Sequence, residues 1–251
     1  MIRKGEVALV TGGGRGIGRA VAIALARTGA RVIVCSRTLS DVEEVAGLIT
    51  KEGGTAVALR CDVASPQEVE ETFKKAAAAF GPIDILVNNA GVGTVAPYEV
   101  ADYEIAEWDR IVNVNLRGTF LCCRAVLPSM RERRRGTIIN IVSITGRQSA
   151  PLVSPYGASK FGAVGLTQAL LTENFKYGIR VCMINPGPTN TTIWDKKIVP
   201  LSKEVREAMM HSEDVADVVV YVASLPERVR IDEIVVLPNQ FPLKMWDYRV
   251  E

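Results

Sequence analysis

A single histidine, His211, serves the whole chain of 251 residues. That scarcity excludes a histidine-based catalytic triad and a histidine-rich metal site, and no metal is expected. Charge of one sign is lacking too: 30 lysines and arginines face 28 acidic residues, a formal net charge of +2. No strong field is left for nucleic acid or for an anionic membrane surface. The one dense basic run, residues 131–135, reads as a solvated helix C-terminus, where cations suit the helix dipole. No apolar stretch is long enough to span a bilayer, and no signal-peptide pattern precedes the first strand-like run. The five cysteines (Cys35, Cys61, Cys122, Cys123 and Cys182) have no metal-ligand spacing and read as reduced, buried thiols. A cytoplasmic protein is expected, with neither a nucleic-acid nor a membrane partner.

What the chain does have is apolar material in a regular order. It is 48% hydrophobic, without internal repeat, low-complexity linker or composition break, so residues 1–251 are expected to form one domain. Runs rich in β-branched residues recur at 7–10, 31–34, 55–59, 83–87, 137–142, 180–184 and 233–237. They are nearly continuous rather than alternating, which suits strands covered on both faces of a parallel sheet. Helix-length segments lie between them at 16–28, 40–52, 65–80, 107–134, 155–175 and 212–225. Ser65-Pro66-Gln67-Glu68 combines a capping box with proline at the first helical position, and Ser40 with Glu43 repeats the box. The alternation predicts a Rossmann-type, doubly wound α/β fold with a mostly parallel seven-stranded sheet and helices on both faces. Residues 187–202 show no clear period and are bordered by Pro186, Pro188 and Pro200; a substrate lid over 187–211 is expected there.

The first strand runs into Thr11-Gly12-Gly13-Gly14-Arg15-Gly16-Ile17-Gly18 and opens a helix. Glycines there let the backbone turn tightly and approach a pyrophosphate, whose charge meets the helix N-terminus. A triphosphate-binding loop is disfavoured, because no Gly-Lys-Ser/Thr follows. At the end of the second strand, neutral Ser36 does not repel a 2′-phosphate, Arg37 offers it a bidentate fork, and Arg15 lies in the adjacent turn. NADP(H) is therefore expected over NAD(H). Asp62, after the third strand, reads either as an acceptor for the adenine amino group or as a helix-entry residue.

Ser143, Tyr156 and Lys160 make the chemical core of the reading. Tyr156 and Lys160 are four apart, hence neighbours on one helix face. A phenol titrates near pH ~10 in isolation and needs a nearby cation to act as a proton carrier at neutral pH. Lys160 is placed to be that cation, and Ser143 is a candidate donor to a carbonyl oxygen beside the phenol. The glycine turn, Asp62, Asn88-Asn89-Ala90-Gly91, Ser143 and Asn185 all fall at strand C-terminal ends, the edge where open α/β sheets bind ligands.

With these motifs in order from Glu6 to about Leu225, the sequence resembles the short-chain dehydrogenase/reductase family, in particular its 3-oxoacyl-(acyl-carrier-protein) reductases. The match covers Thr11-Gly12, Gly16, Gly18, the Asn-Asn-Ala-Gly run, Asn115, Ser143, Tyr156, Lys160 and Pro186-Gly187. The resemblance implies that Tyr156 is the general acid/base, that Ser143 orients the carbonyl, and that Lys160 lowers the phenol pKa while holding the nicotinamide ribose. It implies that Asn115 holds a water linking Lys160 to solvent. Asn89, Ala90 and Gly91 would line the cofactor, Asp62 and Val63 flank the adenine, and Thr189 and Thr191 lie near the nicotinamide carboxamide. A homodimer or homotetramer is implied as well.

The C-terminus departs from the family pattern, because Leu237-Pro238-Asn239-Gln240 replaces a glycine-rich turn. The tail, residues 238–251, carries Phe241, Leu243, Met245 and Trp246, and from Phe241 onward it is expected to pack on protein rather than expose an apolar patch. Ile144, Ala150, Leu152, Val153, Ile193 and Trp194 suggest a largely apolar substrate pocket, with Arg147 and Gln148 as polar handles. The expected reaction interconverts a carbonyl and a secondary alcohol, on an oxoacyl-type or other small apolar ketone. Small hydroxy acids, amino-acid alcohols or polyols are the alternative substrates. A non-catalytic dinucleotide-binding regulator is the alternative of another class, disfavoured by the intact Asn115, Ser143, Tyr156 and Lys160. A nucleotide-sugar epimerase or dehydratase needs more chain after Asn185 than is present.

Overall fold

The first strand, β1 (Val7–Thr11), is buried along its whole length, and its side chains alternate between two cores. Ala8 and Val10 enter one, Val7 and Leu9 the other. In β2 (Arg31–Ser36), Val32 and Val34 take the first side, Ile33 and Cys35 the second. A strand apolar on both faces has to be covered on both, which is why these runs read as continuous. The structure is a computed structural model and is described here over residues 2, 4–195, 198 and 200–240.

Five more strands follow: β3 (Thr55–Arg60), β4 (Ile85–Asn88), β5 (Gly136–Ile141), β6 (Ile179–Pro186) and β7 (Glu233–Val236). They join in the order β3-β2-β1-β4-β5-β6-β7, and every neighbouring pair is parallel. One face is covered by α1 (Gly16–Arg27), α2 (Leu39–Lys51) and α8 (Ser212–Ala223), through Val21, Leu25, Val42, Ile49, Val215 and Val219. The other is covered by α3 (Pro66–Phe80), α5 (Gly118–Glu132) and α6 (Ser154–Asn174), through Phe73, Leu121, Val126 and Leu170. The expected seven-stranded, doubly wound sheet is observed. Strand order reverses between β1 and β4, which opens a crevice at their C-terminal ends.

Local signals fared unevenly. At α3, Ser65 Oγ accepts the Glu68 amide at 3.3 Å, as a cap should. The Glu68 carboxylate turns instead to the Asp62 amide (2.8 Å) and Arg60 (2.7 Å), so only half of the expected box forms. The box expected at Ser40 and Glu43 is absent: α2 starts at Leu39, Thr38 is the extended cap residue, and Ser40 falls inside the first turn. The single helix expected over 107–134 is two, α4 (Ile105–Val112) and α5, joined by a π-turn over Asn113–Arg117. His211 is exposed, and its amide donates to Asp214 at 2.7 Å to start α8. The five cysteines are free and buried.

Within 187–211, α7 (Lys203–Glu207) interrupts the irregular stretch. Both ends of the segment are tied, since Thr189 bridges Met210, Asn190 N donates to Met210 O (2.8 Å) and Met210 N to Pro188 O (3.1 Å). Among the described residues no helix is long and apolar enough to cross a membrane. Residues 241–251, and the packing expected of them, lie outside the described residues.

Candidate active site

The glycine turn is packed so tightly that side chains are excluded. Gly12 has φ +62°, and a Cβ there would lie 2.8 Å from Ala90 Cα. At Gly18 a Cβ would meet Asn89 Nδ2 and the Gly12 carbonyl oxygen at 2.3 Å each. Thr11 organises the neighbouring loop: its Oγ1 accepts from the amides of Asn89 and Ala90, each at 3.1 Å. The Asn89 amide group donates to the carbonyls of Thr11 (3.0 Å) and Gly12 (3.1 Å). Asn89 therefore ties its side-chain amide to the glycine turn. Arg15 is the extended residue before α1, and no side chain caps that helix, so its first amides keep their pull on an anion. Thr191 packs its methyl over Gly16, whose Cβ would lie 3.1 Å from it, and Ile17 is half-buried beside them.

At the end of β2, Ser36 Oγ donates to the Thr38 carbonyl at 2.9 Å, and Arg37 is exposed. Arg15 pairs with Asp41 at 2.8 Å, and that carboxylate raises the guanidinium's pKa through a hydrogen bond and charge attraction. Asp62 accepts the Ala64 amide at 3.0 Å, so one of its oxygens closes a turn ahead of the Ser65 cap, and Val63 is buried against Gly118. Gly187 N donates to Val236 O at 2.8 Å, which fixes the turn after Pro186 at the end of β6. The Thr189 hydroxyl donates back to the Gly187 carbonyl (3.1 Å), and the Trp194 indole donates to the Thr189 carbonyl (2.9 Å). Arg147, expected as a polar handle, lies 3.5 Å from Glu233, which also accepts from Asn185 at 2.6 Å.

Ser143 follows β5, and Tyr156 and Lys160 lie in the first two turns of α6. The Ser143 hydroxyl accepts the Thr145 amide at 3.1 Å. Tyr156 is half-buried. Burial raises its pKa, and the hydrogen bond from Ser143 pulls it part of the way back. Lys160 lies with Nζ 5.6 Å from the Tyr156 ring centroid and donates to the Ile141 carbonyl at 3.2 Å. Burial pushes its pKa down to about 8. The lowering that opposes burial thus comes from Ser143, and burial outweighs it.

Asn115, in the π-turn, clamps a neighbouring peptide. Its Oδ1 accepts Val92 N (2.8 Å), while its Nδ2 donates to Val92 O (2.9 Å) and to Ser159 Oγ (3.0 Å). A Cβ at Gly91 would lie 3.5 Å from Asn115 Oδ1 and 3.9 Å from Lys160 Nζ, so these three groups surround one point. The sequence model of the short chain dehydrogenase family matches residues 6–202, most of the chain. The chain belongs to the short chain dehydrogenase family. It is an oxidoreductase of that family, and the candidate catalytic and cofactor residues, from Gly12 to Thr191, all lie within the matched region.

An uncharacterized oxidoreductase of Staphylococcus aureus (strain USA300) is 34% identical over 233 residues, covering 93% of this chain and 97% of the relative. Among solved structures, an alcohol dehydrogenase from the archaeon Thermococcus sibiricus, complexed with 5-hydroxy-NADP, superposes with a TM-score of 0.85 at 28% identity. It covers 94% of this dehydrogenase and 98% of the archaeal chain. A 3-ketoacyl-(acyl-carrier-protein) reductase from Brucella melitensis, complexed with NADH, gives 0.86 at 31% identity, with 94% and 98% covered.

The buried ammonium makes a testable statement about this dehydrogenase. The folded pKa of Lys160, about 8, lies below its ordinary value of 10.5, so between these pH values the folded state binds fewer protons than the unfolded one. Stability from this group is lowest below pH 8 and rises as pH climbs through that window. Without dinucleotide, the wild-type urea midpoint is expected to rise relative to that of Lys160→Met between about pH 8 and 10. A flat difference across that range would contradict the burial of a charged amine here.

Proposed function

We propose that this dehydrogenase interconverts a carbonyl and a secondary alcohol with NADP(H), Tyr156 serving as general acid/base. The observation that carries the reading is the half-buried Tyr156 one helical turn before the buried Lys160, whose Nζ lies 5.6 Å from its ring centroid, with the buried Ser143 at the end of β5. NADP(H) fits the residues present: the side-chain-free turn at Gly12 and Gly18 admits a pyrophosphate beside the uncapped α1 terminus, and Arg15 and Arg37 offer charge for a 2′-phosphate. Ala90 and Gly91, held by Thr11 and faced by Asn115, form the wall beyond that turn. Asp62 keeps one carboxylate oxygen for the adenine amino group, with Val63 beneath; Thr189 and Thr191, after Pro186-Gly187, lie toward the carboxamide. When bound, the cofactor supplies or receives the hydride at the carbon of the reacting group.

The protein's own work is at the oxygen. Ser143 donates a hydrogen bond to the carbonyl oxygen, and Tyr156 delivers its proton there in reduction and takes it back in oxidation. A phenol raised by burial stays protonated at neutral pH and is ready as the acid for reduction. Lys160 holds the ribose and, when charged, favours the phenolate left behind, while Asn115 fixes the Val92 peptide and the loop that bears Gly91. The water expected beside Lys160 belongs to this same point between Asn115 and Gly91.

Oxoacyl-type or other small apolar ketones are the proposed substrates, and residues 187–211 the lid over them. The Brucella neighbour's ketoacyl substrate and the half-buried Leu152, Val153 and Ile193 support this. The Thermococcus alcohol dehydrogenase keeps simple alcohols as the second reading. Ile105, Phe120 and Phe161, exposed on α4, α5 and α6, support a homodimer or homotetramer. Screening ketones, oxoacyl thioesters, hydroxy acids and polyols for NADPH-coupled turnover tests the assignment. The expected result is highest kcat/KM for an oxoacyl thioester or apolar ketone; a preference for charged hydroxy acids overturns it.

A further inference from the structure

Leu152 adopts φ +62°, the left-handed region that a bulky residue without a polar side chain rarely enters. It sits between the Ser143 turn and α6, four residues before Tyr156. Such a conformation persists only where its surroundings over-determine it. The group that does so comes from far along the chain: Tyr103, between the β4 loop and α4, donates its hydroxyl to the Leu152 carbonyl at 2.8 Å. Tyr103 is itself held edge-on against Tyr98, with ring centroids 5.6 Å apart and planes at 87°.

The strained stretch bears directly on the first turn of α6. A Cβ at Gly157 would lie 2.2 Å from Ser149 Oγ, so residues 149–153 lie against the helix at the position next to Tyr156. Val153 precedes α6 without a side-chain cap, and its carbonyl accepts the Gly157 amide at 2.9 Å. The placement of this loop is therefore tied to the start of the helix that carries the phenol.

We propose that Tyr103 is a positioning residue: its hydroxyl holds Leu152 in the left-handed conformation and so fixes the 149–153 wall of the carbonyl pocket beside Tyr156. The brace lies on the substrate side. The groups packed closest on Gly12, Gly16 and Gly18 are Ala90, Asn89 and Thr191 and the turn itself, not Tyr103 or residues 149–153. The inference deepens the carbonyl-reductase reading and rests on it.

Tyr103→Phe removes the hydroxyl and keeps the ring. The expected result is a KM for the carbonyl substrate raised about 5- to 30-fold, about what one lost hydrogen bond to a pocket wall gives, with kcat and the NADPH Kd within about threefold. Glycine enters the left-handed region freely, so in a Leu152→Gly background the same change is expected to alter KM less than about twofold. Hydrogen exchange of the 150–157 amides, measured without substrate, is expected to quicken in Tyr103→Phe and not further in the double variant. Unchanged KM and exchange in Tyr103→Phe, or an equal effect in the glycine background, overturns the brace. Absence of carbonyl turnover in the wild type counts against the reaction assigned above, and the exchange comparison then decides the brace alone.

Discussion

Replacing Tyr156 with phenylalanine is expected to lower NADPH-coupled carbonyl reduction by about 10²–10⁴-fold, the range that a positioned proton donor contributes. The change deletes one oxygen and leaves the ring, so the helix start and the Lys160 contact at 5.6 Å have no reason to move. Ser143 keeps its bond to the Thr145 amide and remains in place to orient the carbonyl. Binding of NADPH should stay within about threefold of wild type, because the glycine turn, Arg37 and Lys160 are untouched. Stopped-flow turnover together with a fluorescence titration of NADPH separates the two quantities. Residual turnover within about tenfold of wild type would mean that the proton comes from Ser143 or from solvent, and the role given to Tyr156 would fall.

Cofactor choice carries the second large effect. Arg37→Glu is expected to reduce kcat/KM for NADPH by about 10- to 100-fold, the worth of a lost charge-assisted hydrogen bond with a repelling charge in its place. Activity with NADH should change little or rise. Arg15→Ala should cost less, because Asp41 already holds that guanidinium at 2.8 Å and shares its charge. The wild type is expected to favour NADPH over NADH in kcat/KM. Equal efficiencies, or Arg37→Glu with NADPH use intact, would remove the 2′-phosphate assignment and favour NADH, the dinucleotide in the Brucella neighbour.

Much of this molecule can be read from its sequence, because the signals involved are local or periodic. The continuous β-branched runs gave the parallel sheet, since a strand packed on both faces needs apolar residues at successive positions, as Val7 to Val10 show. The glycine turn was legible because side chains are sterically excluded there. What escaped was set by contacts between distant segments. The π-turn at Asn113–Arg117 leaves the helical apolar period almost intact, so nothing in the period marks it. Asp41 reads only as a first-turn carboxylate until the fold brings Arg15 beside it. The Asn89 amide turns toward Thr11 and Gly12, a direction that spacing does not encode. Lys160 illustrates both sides: its offset from Tyr156 fixes the shared helix face, whereas its burial and its bond to Ile141 depend on the completed core.

The most direct test of the whole account follows a single atom. The enzyme is given an apolar ketone or oxoacyl thioester and NADPH carrying deuterium at the transferable position of the nicotinamide, and the product is analysed by mass spectrometry. Deuterium is expected on the carbinol carbon, one label for each NADPH oxidised, with Tyr156→Phe reducing its rate of appearance by about 10²–10⁴-fold. NADPH oxidised without label on that carbon, or label transfer unaffected by the loss of Tyr156, would contradict it.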